Sequence, residues 1–417
     1  MVNQDDNPPI KTEPRFFYGY VVVAASFLIM LVSGGFYQSF GVFFKPMLND
    51  FGWTRALTSG AFSLSNIVRG LMGILMGGFT DKLGARIVLT VCGFLLGSGF
   101  MLMSQINNAW QLYLLYVVII GIGSSGIWVP LLSTVARLFT KRRSTMTGIV
   151  LAGLSIGILI VPPVTNWLIS IYDWRITYLI MGGIVFVIVV LSAQFLRHKP
   201  AQMGQLSNGE SKKGGSKSGT DGFTLREAVY TNQFWLLTAL GFCMGFWRIA
   251  IFVHIIPHVT DLGFSTASSA NVLATIGGVS ILGTVIGGSI SDRIGNRQTY
   301  LISFVLLFAA SLWLLQAKEI WMLYLFAVIF GFCGGMIGPL ISPLLAKLFG
   351  LRSHGMIFGA NNVGFTIGAA VGPFITGYIF DVTGSYQIAF LLCGAVSIFG
   401  FILVAVLRPT KRLGGRI

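Results

Sequence analysis

The sequence predicts an all-α membrane protein: twelve transmembrane helices in two pseudo-symmetric six-helix bundles. Three observations carry that expectation. The 417-residue chain is 54% hydrophobic and only 10% charged, with a mean hydropathy of +0.81. Polar punctuation divides it into twelve long apolar runs, and its two halves repeat one another in a single register.

A soluble domain carries roughly 25% charged residues, and a soluble core cannot hide this much apolar surface while its polar surface keeps it dissolved. A water-soluble enzyme is excluded. The charges are unbalanced, 28 Lys plus Arg against 13 Asp plus Glu, for a formal net charge of +15. Nucleic-acid-binding proteins spread such a surplus over a solvated face of a polar chain. Here the positives punctuate apolar runs, so no nucleic-acid partner is expected. Cys92, Cys243, Cys333 and Cys393 fall inside apolar stretches without CxxC or Cys/His ligand spacing. They read as small buried hydrophobes, and no metal, cofactor or catalytic constellation is expected. The first 15 residues are polar and bear prolines, with no short cleavable apolar segment before the first long run; the first span is expected to be retained.

A spanning helix needs about 20 mostly apolar residues. The runs lie at 17–44, 54–80, 87–105, 110–138, 145–171, 176–196, 233–258, 267–291, 298–316, 320–348, 355–380 and 386–407; they are numbered spans 1 to 12. Glycine recurs at four-residue spacing inside them, as at Gly73/Gly77 and Gly153/Gly157, which lets membrane helices approach closely. The one long polar interruption, 198–232, contains SNGESKKGGSKSGTDG, a composition that cannot build a core. The expected organisation is an N-terminal tail (1–16), a six-span bundle (17–197), the linker (198–232), a second six-span bundle (233–408) and a C-terminal tail (409–417).

The halves match in sequence. Gly77-Gly78-Phe79-Thr80-Asp81-Lys82-Leu83-Gly84-Ala85-Arg86 ends span 2, and Gly288-Ser289-Ile290-Ser291-Asp292-Arg293-Ile294-Gly295-Asn296-Arg297 ends span 8. A shift of 211 residues maps Asp81 onto Asp292 and also Phe51-Gly52-Trp53-Thr54 onto Leu262-Gly263-Phe264-Ser265. One register at both ends of a span argues for duplication. Of the 28 Lys and Arg, 22 fall in the tails, the linker and the loops on the linker's side, and four (Lys45, Arg55, Arg175, Lys318) on the far side. The positive-inside rule then places both termini and the linker in the cytoplasm. Two remain, Arg69 and Arg248.

The Asp-[Lys/Arg]-x-Gly-x-Arg loop after span 2, repeated after span 8 between two six-span halves, closely resembles the major facilitator superfamily. Within it, Arg137-Leu138-Phe139-Thr140-Lys141-Arg142-Arg143, continuing to Gly148 and Ala152-Gly153-Leu154-Ser155-Ile156-Gly157, looks like the signature entering span 5 of monocarboxylate transporters. Tyr18-Gly19-Tyr20, Phe51-Gly52-Trp53-Thr54-Arg55, and Gly372-Pro373 to Asp381 with Thr383-Gly384-Ser385-Tyr386 are similar to the bacterial branch of that family, which includes oxalate/formate exchangers. The resemblance implies a rocking two-bundle transporter of small carboxylates, coupled to a proton or to exchange. It also implies that Asp81 and Asp292, with Arg86 and Arg297 of the same loops, form the cytoplasmic gate, each carboxylate against a helix N-terminus of its own half. The arginine that the family often places in span 8 is absent: its Gly-Arg-x-x-x-Gly stretch reads Gly283-Thr284-Val285-Ile286-Gly287. A basic residue of span 1 falls at Gln38, and the span-11 lysine of the oxalate exchangers near Asn361.

Arg69 and Arg248 stand near the middle of spans 2 and 7. A charge at the bilayer centre costs at least roughly 2.5 to 3.5 kcal/mol, and none of the thirteen acids lies at midspan. A substrate carboxylate, which a guanidinium grips bidentately, is the natural counter-ion. His254, two turns beyond Arg248, is the expected carrier of a coupled proton. Asn66 shares the face of Arg69 by i, i+3 spacing, and Tyr37 and Gln38 are the repeat mates of Arg248 and Ile249. Ser280, Asn361 and Tyr324, and less so Asn271, Asn362 and Trp128, complete the expected pocket. The function expected is proton-coupled uptake of a small monocarboxylate by alternating access, in a multi-pass inner-membrane monomer whose partners are substrate, proton and lipid bilayer. Carboxylate or dicarboxylate exchange is the runner-up. An efflux pump for amphipathic compounds is more distant, because a cationic drug would meet two like charges.

Overall fold

The computed structural model describes residues 18–53, 55–139, 142–196 and 222–407. The expected tails and most of the expected linker lie outside them. Among the described residues, 12 helices are long and apolar enough to cross a membrane. Their outer faces expose side chains such as Leu71, Leu75, Val91, Leu191 and Ile398, a continuous apolar exterior that suits hydrocarbon rather than water.

Spans 2 (Arg55–Leu83), 5 (Arg143–Tyr172), 7 (Asn232–Asp261), 8 (Thr266–Ile294) and 11 (His354–Thr383) hold the midspan arginines and contacts between the halves. Their ends depart from the sequence expectation by at most three residues. Span 1 departs further. Expected to stop at 44, it runs on as the helix Phe40–Phe51 and closes on Gly52, whose φ of 65° is left-handed. The helix does not stop where the hydrocarbon does; it stops at the first residue able to take the left-handed cap without a Cβ penalty. The linker expectation also needs correction at its end. Thr224 and Glu227 form a capping box on a short helix, Leu225–Val229, and the Phe223 N–H donates to the Phe349 carbonyl at the end of span 10 (2.8 Å).

The repeat persists as packing. Span 5 lies on span 1 through Gly153 against Phe27 and Gly157 against Leu31, and span 11 lies on span 7 through Gly364 against Thr238 and Gly368 against Phe242. All four pairs obey the 211-residue register, as do the helix-interior prolines Pro46/Pro257 and Pro162/Pro373. Gly84 and Gly295, between spans 2 and 3 and spans 8 and 9, take φ of 90° and 95°, so the repeated tight turns need a residue without Cβ. One asymmetry is local: π-helical turns interrupt span 1 at Met30–Gly34 and span 4 at Tyr113–Ile120, a distortion that often marks functional sites.

The two halves meet on the side where span 6 ends and span 7 begins, the linker side. Gly77 packs on the Gly355 backbone and Gly288 on that of Ser144, with small residues allowing backbone contact between the bundles. These contacts rise as far as the Thr366 side chain against Gly70.

Candidate functional site

Arg69 follows directly from that closure. At about 100° per residue, it lies on span 2 between Ser65, which faces Tyr37, and Gly70, which faces Thr366. The lipid-exposed Ile67 and Leu71 point elsewhere. Its guanidinium carbon stands 4.8 Å from the centre of the Tyr37 ring. That ring is fixed. Ser65 spends its only hydroxyl hydrogen on the Phe62 carbonyl (2.7 Å), so Tyr37 donates to Ser65 Oγ (2.8 Å). Tyr116, on the π-helical turn of span 4, donates to the Tyr37 carbonyl (3.4 Å) and stacks on its ring.

Arg248 is half-buried in mid-span 7, with its guanidinium carbon 5.9 Å from the centre of the Phe252 ring. It is the repeat mate of Tyr37, whose partner Ser65 stands one turn beyond Arg69. Arg248 therefore lies about one helical turn, roughly 5 Å, farther from the linker side than Arg69. Among the described residues the ion pairs are Arg137–Asp81 and Arg175–Asp50, and neither arginine at midspan has a hydrogen-bond or ionic partner. Each guanidinium is backed by an aromatic face, and its N–H groups remain available to a planar anion.

The paired carboxylates lie deeper, on the linker side. Asp81 accepts the N–H groups of Gly355 and Met356 (3.0 Å each) in the first turn of span 11, and Arg137 of span 4 (2.5 Å). Asp292 accepts the N–H groups of Ser144 (3.0 Å) and Thr145 (2.8 Å) in the first turn of span 5, and the Thr145 hydroxyl (2.7 Å). The four donor residues obey the 211-residue register. Each carboxylate uses the unsatisfied amides and positive dipole end of a helix, but that helix belongs to the opposite half, which corrects the own-half expectation. Ser342 of span 10 adds a hydroxyl bond across the halves to the Leu132 carbonyl (3.3 Å). The linker side is closed by a double latch.

Compared with known proteins, the chain matches the family model of the Major Facilitator Superfamily over residues 26–289 and 267–415. The chain belongs to the major facilitator superfamily. It is similar to Monocarboxylate transporter 12 of Mus musculus, 26% identical over 428 residues that cover 97% of this chain and 88% of that protein. It is also similar to Monocarboxylate transporter 4 of Gallus gallus, 25% identical over 394 residues, 94% and 82% of the two chains. Among solved structures, the fucose:proton symporter FucP of E. coli aligns with a TM-score of 0.71 at 17% identity, covering 93% of this chain and 99% of that one. The proton:xylose symporter XylE aligns with a TM-score of 0.73 at 14% identity, covering 93% and 95%. These show the fold. This facilitator is a membrane transporter and not an enzyme.

The remaining expected residues of the facilitator divide by where the helices place them. Asn66 donates to the Phe62 carbonyl (2.9 Å) on the Arg69 face of span 2, and Gln38 is exposed beside Tyr37. Ser280 donates to the Gly277 carbonyl of its own helix (2.7 Å), where span 10 packs through Gly335. Tyr324 is half-buried against the core. Asn361 does not reach a pocket: it is 2% exposed and donates to Thr238 Oγ1 (3.3 Å), joining spans 7 and 11. Arg86 and Arg297 are also corrected. Arg86 donates to Gln194 Oε1 (2.9 Å), and Arg297 to the Val404 (3.3 Å) and Ala405 (2.5 Å) carbonyls. Both tie down the last helix of their own half, where a cation suits exposed carbonyls, and neither reaches the latch. His254 binds the Pro373 carbonyl through Nε2 (3.0 Å) and Tyr386 Oη through Nδ1 (3.3 Å). A carbonyl only accepts, so Nε2 carries the hydrogen and the neutral ring is fully bonded. The pairing of Arg137 with Asp81 escaped sequence reasoning, since the 211-residue register maps Arg137 onto Leu348; the helix N-termini were expected, but within each half, and the register linking Ser144 to Gly355 pairs their first-turn amides.

Proposed function

We propose that this facilitator imports a small monocarboxylate together with a proton, with its linker side and both termini in the cytoplasm. The observation that carries the reading is a pair of midspan arginines, one from each half, backed by aromatic rings and left without an acid at their depth. The latched linker side is the state that receives solute from the far side. Arg248 meets the anion first and Arg69 lies one turn deeper. An inside-negative potential opposes entry of a monoanion by about 2.3 kcal/mol per 100 mV, roughly a fifty-fold concentration penalty. A proton carried with the anion removes it. The names of the relatives, monocarboxylate transporters and proton symporters, support the reading. The excess of Lys and Arg on the linker side supports the orientation.

Two arginines also suit a dicarboxylate, so exchange is the second reading. Proteoliposomes distinguish them. Uptake of lactate or pyruvate is expected to rise with an imposed inward proton gradient and to collapse with a protonophore. Indifference to both, with dependence on carboxylate inside the vesicle, would establish exchange instead. The same assay tests the aromatic floor. Tyr37→Leu is expected to raise the half-saturating concentration about fivefold, as loss of a cation–π contact of about 1 kcal/mol to the exposed Arg69 guanidinium implies, whereas Tyr37→Phe stays within about twofold. Equal effects of the two would show that the ring does not support Arg69.

A further inference from the structure

The 211-residue register that pairs the two latches also pairs the residues that open the receiving helices: Arg143 on span 5 and His354 on span 11. One is permanently charged; the other titrates. His354 is 1% exposed. Its Nε2 lies 3.0 Å from the Ser342 carbonyl, and because a carbonyl only accepts, Nε2 carries the hydrogen. Nδ1 is then a bare acceptor, buried and without a partner among the described residues.

The groups around it come from every side of the latch. Asp81 of span 2 accepts the two amides that follow His354. Arg137 of span 4 and Arg143 of span 5 act on the ring as nearby positive charges. Ser342 of span 10 holds Nε2, and the Phe358 ring lies 6.1 Å away. The Asp81 carboxylate is already engaged by Arg137 and two amides. A second proton on Nδ1 would place a buried N–H without an acceptor next to two guanidinium groups. The latched geometry accommodates the neutral ring.

We infer that His354 is a proton-binding site on the linker side whose occupancy is tied to the state of the latch. When the halves part on this side, the Gly355 and Met356 amides leave Asp81, the start of span 11 meets water, and the ring titrates as an ordinary histidine near pH 6.5. The proton binds the unlatched state and not the latched one, so acid on this side shifts the population toward the unlatched state. The latch is fully favoured above about pH 6.5 and loses ground below it. Between pH 7.5 and 5.5 the unlatched-to-latched ratio rises about tenfold. The Asp292 latch has Arg143 in the matching place and lacks the response. On the proposed reading, an importer of acid equivalents is thereby held inward-facing once the cytoplasm acidifies, which slows return of the empty carrier; this last consequence alone rests on that reading.

The test uses the full chain in lipid nanodiscs without substrate, so its outcome is independent of what is carried. Spin labels at Lys82→Cys and Arg352→Cys, exposed residues on opposite halves beside the Asp81 latch, report the gap by pulsed electron paramagnetic resonance. The long-distance population relative to the short one is expected to rise about tenfold from pH 7.5 to 5.5. His354→Gln, which keeps an N–H for the Ser342 carbonyl, is expected to flatten that response, while His254→Gln and His258→Gln keep it. An unresponsive parent protein, a response that survives His354→Gln, or one lost in either control variant overturns the assignment.

Discussion

Arg248→Gln is expected to abolish carboxylate uptake in proteoliposomes, with folding and membrane insertion intact. Arg248 has no acid at its depth and its guanidinium rests over Phe252. Its removal therefore breaks no internal ion pair; it takes away an isolated charge that costs energy to insert. Thermal stability without substrate should match or exceed that of the parent protein. Each hydrogen bond to a charged group contributes about 1.5 to 3 kcal/mol, so losing both members of a bidentate grip costs roughly 3 kcal/mol or more, at least about 100-fold in apparent affinity. Arg69→Gln is expected to follow the same pattern, since among the described residues its guanidinium is supported by the Tyr37 ring and by no ion pair. A stabilising thermal shift with lactate or pyruvate should be present in the parent protein and absent from both variants. Transport at the parent level by Arg248→Gln would remove that residue from the substrate path.

Breaking the two latches should have unequal effects, although they are repeat-related and each carboxylate takes two backbone N–H groups. Asp81 also pairs with Arg137, whose side chain is 14% exposed, whereas Asp292 takes a Thr145 hydroxyl in the third position. Asp81→Ala leaves a guanidinium without its counter-ion inside the latched interface, a loss of about 3 to 5 kcal/mol. Asp292→Ala leaves neutral amides and a hydroxyl, at about 1 to 3 kcal/mol for each buried group that stays unsatisfied; the nearby Arg143 forms no ion pair with Asp292 and keeps its own bond to the Phe139 carbonyl. Arg137 sits in the same half as Asp81, so unlatching lets water reach it and relieves the strain. The population should therefore move toward the linker-side-open state more than about 100-fold for Asp81→Ala, and less for Asp292→Ala. Distances between labels across the linker-side ends of spans 2 and 11 measure both. Equal shifts, or a larger one at Asp292, would show that the Arg137 pair does not stabilise the latched state.

The features that the order of amino acids discloses share a cause. Twelve spans are legible because hydrocarbon thickness sets helix length, and length is local to the chain. Duplication is legible because one offset explains residues at both ends of a span. The isolation of Arg69 and Arg248 needs only the positions of thirteen acids. Other features escaped for equally physical reasons. Span 1 outran its apolar run because polar Asn49 and Asp50 remain helical until Gly52 allows a left-handed cap. The end of the linker, polar by composition, still folds once Thr224 and Glu227 satisfy the first helical amides and Phe349 offers a carbonyl.

The sequence by itself determined the fold class, the internal repeat, the basic side and the two charges that topology cannot explain, because each follows from counting and spacing along one chain. The tertiary structure alone decided the partners. Spans 5 and 11 both present an open N-terminus on the linker side, and nothing in the spacing of Asp81 or Asp292 says which of them a carboxylate will meet. Packing of the bundles answers that Asp81 reaches span 11 and Asp292 reaches span 5, each across the boundary between halves. The same packing sends Arg86 and Arg297 to the carbonyl ends of their own last helices and Asn361 to Thr238. It also buries His354 with one ring nitrogen unpaired among the described residues. Hydrogen bonds between helices are short-ranged and directional, so they depend on where the helices stand in space rather than on where they stand in the chain.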